Sequence, residues 1–183
     1  MKVIDAVKST MRIITNSGSS LIGAILDKAN ARHRCNQMEV SQLHPNADIT
    51  NGDVLITEIA NLCRGESSFE STHEYDNDRA FYQEALGIDR VPSPETLRQR
   101  LDEIGKCHDG ERSCHSDIRD LNVEILKQNQ AKITGIPEGL IPVDCDVTPY
   151  EEVKCKKEGV SRTYKGCDGY APMMSYIGNE GYL

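Results

Sequence analysis

The sequence predicts an α+β chain, a helical N-terminal region followed by short strands, on three observations. Between about residues 21 and 129, apolar side chains recur at helical spacing in segments opened by serine caps and closed by glycines. From Leu140 the period changes to that of a strand: Val143-Asp144-Cys145-Asp146-Val147 alternates, and a Gly178-Asn179-Glu180-Gly181 turn follows a second extended run. Between the two, Thr134-Gly135-Ile136-Pro137-Glu138-Gly139 reads as a hinge. The domain boundary is therefore placed near Ile136, dividing the chain into 1–135 and 136–183.

In order, the segment to about Ser17 is weakly patterned. Ser19-Ser20 caps a helix predicted from Leu21 to about Arg34, with Leu21, Ile22, Ile25 and Leu26 on one face. The NSGSSLIGA stretch lacks the Gly-Lys-Ser/Thr ending of a phosphate-binding loop, which argues against a nucleotide site. Residues 36–50, with Pro45, read as a connection. A helix from Asn51 to Cys63 draws its buried stripe from Val54, Leu55, Ile59, Leu62 and Cys63, and Gly65 ends it with a positive φ. Ser67 and Glu70 have capping-box spacing for a short turn or helix. Asp76–Leu86 follows as a helix with Phe81, Tyr82, Ala85 and Leu86 inward and Gly87 as its stop.

Ser93 and Pro94 suit the N-cap and first position of the next helix, whose inner line is Leu97, Leu101 and Ile104 and whose end is Gly105. This arrangement exposes Arg98 and Arg100. Helix, turn, and helix with exposed arginines is compatible with a DNA-reading helix-turn-helix and equally with ordinary helix packing. Residues 106–115 form a polar break. A last helix runs from Ser116 to about Asn129 with Ile118, Leu121, Ile125 and Leu126 inward. Asp144 and Asp146 then share one face of the first strand, with Val143, Cys145 and Val147 packed behind. A basic loop leads to a second strand, Tyr170 to Ile177, and a third begins at Tyr182.

Composition narrows the classes. The 183 residues include no Trp, two Phe and 38% hydrophobic residues, enough for a modest core in one domain or two small ones. No run of about 18 apolar residues exists to span a membrane, and MKVIDAVKSTMRIIT has no apolar signal core; a cytoplasmic protein is expected. Seven cysteines without a scaffold rhythm read as reduced thiols. The net charge of −8 is unevenly spread: residues 44–152 carry ten basic and twenty-three acidic side chains, whereas residues 153–167 carry five basic and one acidic. Lys154, Lys156, Lys157, Arg162 and Lys165 thus follow the Asp-bearing strand directly, where they are either a solvated loop or a neutralising surface for phosphates.

Other constellations carry less. Cys107-His108 and Cys114-His115 offer four potential zinc ligands, but adjacent ligands do not converge easily on one tetrahedral ion, so a polar loop is the expectation. Cys145, Cys155 and Cys167 lack an activating histidine, since none follows His115. Cys145 is read as a small packing residue pointing away from the two aspartates. Tyr164 either stacks on a splayed base or covers the sheet, and packing is expected of Tyr170.

The stretches DVTPY, KKEGVSRTYKGCDGYAP and YIGNEGYL resemble the start of the catalytic domain of DDE transposases from bacterial insertion sequences, in the subgroup with a KKEGVSRTYKG-type loop. NGDVLITEIANLCRGESSFESTHEYDNDRAFYQEALGIDRVPSPETLRQRLDE is similar to the helical N-terminal region of the same subgroup, so the resemblance covers roughly Asp48 to Leu183. It implies a ribonuclease H-like domain begun at residue 136, with Asp146 as the first catalytic carboxylate and metal ligand and Asp144 as its assistant. It further implies Mg2+ or Mn2+ in the complete enzyme, with DNA at the ends of the element as substrate. Lys156, Lys157, Arg162, Lys165 and Tyr164, with Arg98 and Arg100, are the DNA-contacting candidates, and a homo-oligomer or the full-length transposase is a candidate partner.

The chain stops in what would be the third strand, without the second Asp and the Glu of the family. An inactive fragment with an open sheet edge is therefore expected. Two other readings stay open: a non-catalytic regulator binding DNA or transposase, and an acidic helical interaction protein.

Overall fold

Helix α3 (Asn51–Cys63) forms where the sequence places it, and the first unit is packed around it. Its N-terminus carries a capping box: the Thr50 hydroxyl accepts the Asp53 N–H (3.1 Å) and the Asp53 carboxylate accepts the Thr50 N–H (3.2 Å). Its C-terminus is a Schellman turn, with Gly65 at φ 79° and bonds from Glu66 N–H to the Asn61 carbonyl and Gly65 N–H to the Leu62 carbonyl. The buried stripe differs from expectation. Leu62 and Cys63 are exposed, while Asn51 to Thr57, Ala60 and Asn61 are buried, so the N-terminal half is enclosed on all sides.

The computed structural model describes residues 16–40, 48–105, 114–152 and 159–183. In chain order these give α1 (Ser19–Lys28), α2 (Ala31–Asn36), α3, a 3₁₀ segment (Phe69–Asp78), α4 (Arg79–Leu86), α5 (Pro94–Gly105) and α6 (Cys114–Gln128). The strands β1 (Val143–Val147), β2 (Tyr150–Glu151), β3 (Ser161–Arg162), β4 (Asp168–Tyr170) and β5 (Met173–Ile177) follow. The chain divides into two compact units, Met1–Gln130 and Ala131–Leu183. Among the described residues the first is helical and the second is built of strands and turns, an α+β chain.

Instead of one helix to Arg34 there are two, because Asn30 takes the left-handed conformation (φ 51°) and turns the chain between α1 and α2. The inner face of α1 is also rotated from the predicted one. Ser19, Gly23 and Leu26 are buried with Ile22 beside them, while Leu21 and Ile25 face outward. The cause is close packing on α4: a Cβ at Gly23 would lie 1.7 Å from the Ala85 carbonyl oxygen, so only glycine allows this approach. Cys35 is fully buried, and burial pushes its thiol up to about 12.

The turn expected at Ser67 begins one residue later, where the Ser68 hydroxyl accepts the Glu70 N–H. The residues from Asp76 to Asp78 belong to the 3₁₀ segment rather than to α4. The segment is held by Tyr75, fully buried, whose hydroxyl donates to Asn61 Oδ1 (2.9 Å) and whose ring meets Tyr82 edge-on at 4.4 Å. Tyr82 and Leu86 are buried and Phe81 packs against the core, as the periodicity predicts, and Gly87 ends α4 at φ 66°. In α5 the Ser93 hydroxyl accepts the Thr96 N–H, and Leu97 and Ile104 are buried. Helix α6 starts two residues earlier than predicted, at Cys114, and Ile118 on it is exposed while Leu121 is buried.

Arg100 is buried, not exposed as the sequence leads us to expect. It is 8% exposed, with its guanidinium donating to the Ile49 carbonyl (3.0 Å) and Asn51 Oδ1 (2.6 Å). Position 100 lies one turn from Leu97 and Ile104, so helical geometry turns it inward, and burial lowers its basicity while Glu103 opposes that shift.

In the second unit β1 and β5 form an antiparallel pair, and β2-β4-β3 a separate small sheet. The predicted strand from Tyr170 to Ile177 is thus two strands in two sheets, divided at Ala171-Pro172, where proline removes a ladder donor. The turn after β5 forms as expected, with Gly178 and Gly181 at positive φ and a bridge from Ile177 to Tyr182. Glu180 ties this turn to the entering chain by accepting the Thr134 N–H (2.8 Å) and hydroxyl, which hold its carboxyl below the usual range. Among the described residues of this unit only Thr163 and Gly169 are buried. Val143 and Cys145 are exposed rather than packed, because a two-stranded sheet covers neither of its faces.

Candidate metal and nucleic-acid site

The register of β1 on β5 pairs Asp144 with Tyr176 and Asp146 with Met174, and Val143, Cys145 and Val147 with Ile177, Ser175 and Met173. Alternation puts the first set on one face and the second on the other, and the contact between Cys145 Sγ and Ser175 Oγ (3.3 Å) agrees. Asp144 and Asp146 therefore share an exposed face, as predicted. The ladder is bracketed by bonds from Thr148 N–H to the Pro172 carbonyl and from Gly178 N–H to the Pro142 carbonyl. The even-numbered residues of β1 thus pair with β5, and the odd-numbered ones turn their backbone groups to the open edge.

Two hydroxyls address the C-terminal end of this strand. Thr148 donates to Asp146 Oδ2 (3.3 Å), and Tyr164 donates to the Val147 carbonyl (3.2 Å) on the open edge. Tyr164 comes from a tight turn held by Thr163, whose N–H and hydroxyl both donate to the Cys167 carbonyl (2.9 Å each), with Gly166 at φ 79° bonding back to Thr163. Lys165, on the same turn, places its ammonium 5.9 Å from the Tyr164 ring centroid. Arg162 lies across from Asp168 in the β3–β4 pair and forms an ion pair with it at 3.1 Å. The structure thus brings Asp144, Asp146, Tyr164 and Lys165 into one unit. Lys154, Cys155, Lys156 and Lys157 lie outside the described residues, as do Cys107 and His108. Sequence reasoning passed over Thr148 and Thr163. Their signal was a hydroxyl residue beside an acid in Asp146-Val147-Thr148 and one opening the Thr163-Tyr164-Lys165-Gly166 turn.

The helical unit presents different electrostatics. Arg98 is exposed but bonded to Glu95 (2.8 Å) and Asp102 (3.1 Å), and it holds the Glu95 carboxyl below the usual range. Each of the eight described arginines between residues 16 and 130 lies within 4.0 Å of a carboxylate: 32, 34, 64, 79, 90, 98, 100 and 119. Arg32 reaches two carboxylates, the fully buried Asp53 (3.3 Å) and the exposed Asp89, whose N–H also donates to Asp53 (2.9 Å). Such pairing cancels the field a phosphate would feel.

As ligands, Asp144 and Asp146 supply hard oxygen donors on an open surface. That fits one Mg2+ or Mn2+ that keeps waters and phosphate oxygens in its remaining positions. It does not fit a pair of ions. Among the described residues no group of three or more His, Cys, Asp or Glu side chains is arranged to hold a metal. No described helix is long and apolar enough to cross a membrane. Comparison of the chain with protein-family models, with curated proteins and with solved structures found no match in any of the three.

Proposed function

We propose that the chain serves DNA transposition, with β1 and β5 as the opening strands of a ribonuclease H-like catalytic domain of DDE type and Asp146 as its first carboxylate. The observation that carries the reading is the juxtaposition at the end of β1. An exposed pair of carboxylates stands on the strand whose Val147 carbonyl accepts the hydroxyl of Tyr164, from the turn that also bears Lys165, within sequence that resembles this family. Asp146, with Asp144 beside it, would hold a divalent cation. When bound, that cation supplies charge stabilisation for displacement at a DNA phosphate. The chain's own residues do the rest of what this site offers. Thr148 donates to one oxygen of Asp146, and Lys165 meets phosphate oxygens without reading sequence.

A complete paired-ion centre needs carboxylates beyond these two, so binding and not cleavage is the activity assigned to these residues. DNA contact is assigned to the second unit, since the described arginines of the helical unit are already matched by carboxylates. The test is duplex DNA binding by fluorescence anisotropy across a salt series. Affinity should fall with a log–log slope of about −0.9 per phosphate neutralised, and Asp146→Asn should preserve this binding while removing its response to Mn2+. Binding that is absent, or indifferent to salt, refutes the reading and leaves an acidic interaction protein.

A further inference from the structure

Tyr164 is 70% exposed, so its ring does not cover the sheet. Its hydroxyl is engaged nonetheless, on the open-edge carbonyl of Val147, the residue between Asp146 and Thr148. The turn that presents it is anchored by Thr163, one of the few buried residues of its unit, through two bonds to the Cys167 carbonyl. The same turn carries Lys165 against the tyrosine ring. A base-stacking tyrosine needs its ring alone, whereas this one spends its hydroxyl on the backbone of the carboxylate strand.

We propose that Tyr164 is a positioning residue, a clasp that fastens the cation-bearing turn to β1 and so sets where Lys165 meets a DNA phosphate relative to Asp146. The inference rests on the reading of the site as a DNA-phosphate surface. Tyr164 acts through Lys165 and through the Val147 carbonyl. Thr148 does the complementary task on the side chain of Asp146, so the two hydroxyls fix backbone and carboxylate together.

The experiment measures duplex DNA affinity of the full chain across a salt series for Tyr164→Phe, Tyr164→Ala, Lys165→Ala and the Tyr164→Phe/Lys165→Ala double variant. Circular dichroism confirms that each is folded. Lys165→Ala should lower the salt slope by about one. Tyr164→Phe, which keeps the ring and loses the hydroxyl, should weaken binding roughly three- to tenfold and lower the slope in the same direction. The double variant should be no weaker than Lys165→Ala alone, because both changes remove one coupled contact. If Tyr164→Phe binds as the parent does while Tyr164→Ala is weakened, the ring stacks and the clasp is overturned, with the surface reading intact. Additive losses in the double variant overturn it equally. A parent chain without salt-dependent DNA binding sinks the surface reading itself.

Discussion

Replacing Gly23 by alanine sets two effects of opposite sign against each other. In an open helix position the change stabilises by about 1 kcal/mol through helix propensity. At Gly23 the added Cβ would stand 1.7 Å from the Ala85 carbonyl oxygen, 2.8 Å from its carbon and 3.2 Å from the Leu86 Cα, all backbone atoms. Ordinary carbon–oxygen contact is nearer 3.3 Å, so α1 and α4 must part by roughly 1.5 Å, opening the packing around Leu26 and Leu86. Overpacking of this kind costs about 1–3 kcal/mol; backbone atoms cannot rotate away, so the upper end applies, and after the propensity gain a net loss of about 2 kcal/mol is expected. That is a large share of the 5–15 kcal/mol typical of a domain. Urea denaturation of the parent and Gly23→Ala, followed by circular dichroism, measures it. Gly105→Ala, whose added Cβ meets nothing within 4 Å among the described residues, is the control and should be neutral or slightly stabilising. A Gly23→Ala protein as stable as the parent would refute the close approach of α1 to α4.

Arg100→Ala should destabilise by about 3 kcal/mol in the same assay, since it leaves the Ile49 carbonyl and Asn51 side chain without their buried donor; Arg98→Ala should leave the midpoint unchanged. Thiol labelling of the native chain should modify Cys63 and Cys145 quickly and reach Cys35 only on unfolding, because Cys35 is buried with its thiol pushed up to about 12; prompt labelling of Cys35 would contradict the packing of α2. Glu180 titrates below its ordinary value of 4.5, so the stability it adds is present above that value and disappears as pH falls through the lower folded value. An NMR titration of the Thr134 amide should show a step in that window, and Glu180→Gln should abolish it.

Local chemistry made much of the helical unit legible. Ser93, Gly65 and Gly87 act within one turn of themselves, so this cap and these stops were read without knowing the fold, whereas the Thr50 capping box was not. What needed the third dimension was lost. The break at Asn30 depends on a left-handed residue that is not glycine, and the inner face of α1 depends on how near α4 comes to Gly23. Arg100 sits at an apolar helical phase, but its charge argued for the surface until Ile49 and Asn51 supplied acceptors. At the candidate site, alternation alone put Asp144 and Asp146 on one face. The Tyr164–Val147 bond joins residues seventeen positions apart and follows only from the turn built on Thr163.

If Asp146 marks a divalent-cation site on β1, a Mn2+ titration of isotope-labelled protein followed by NMR will locate the ion. Paramagnetic broadening should centre on Asp144, Asp146 and Thr148, spread to Tyr164 and Lys165, and vanish in Asp146→Asn. Broadening centred instead on the acidic surface of the helical unit, or unchanged in Asp146→Asn, would contradict the account.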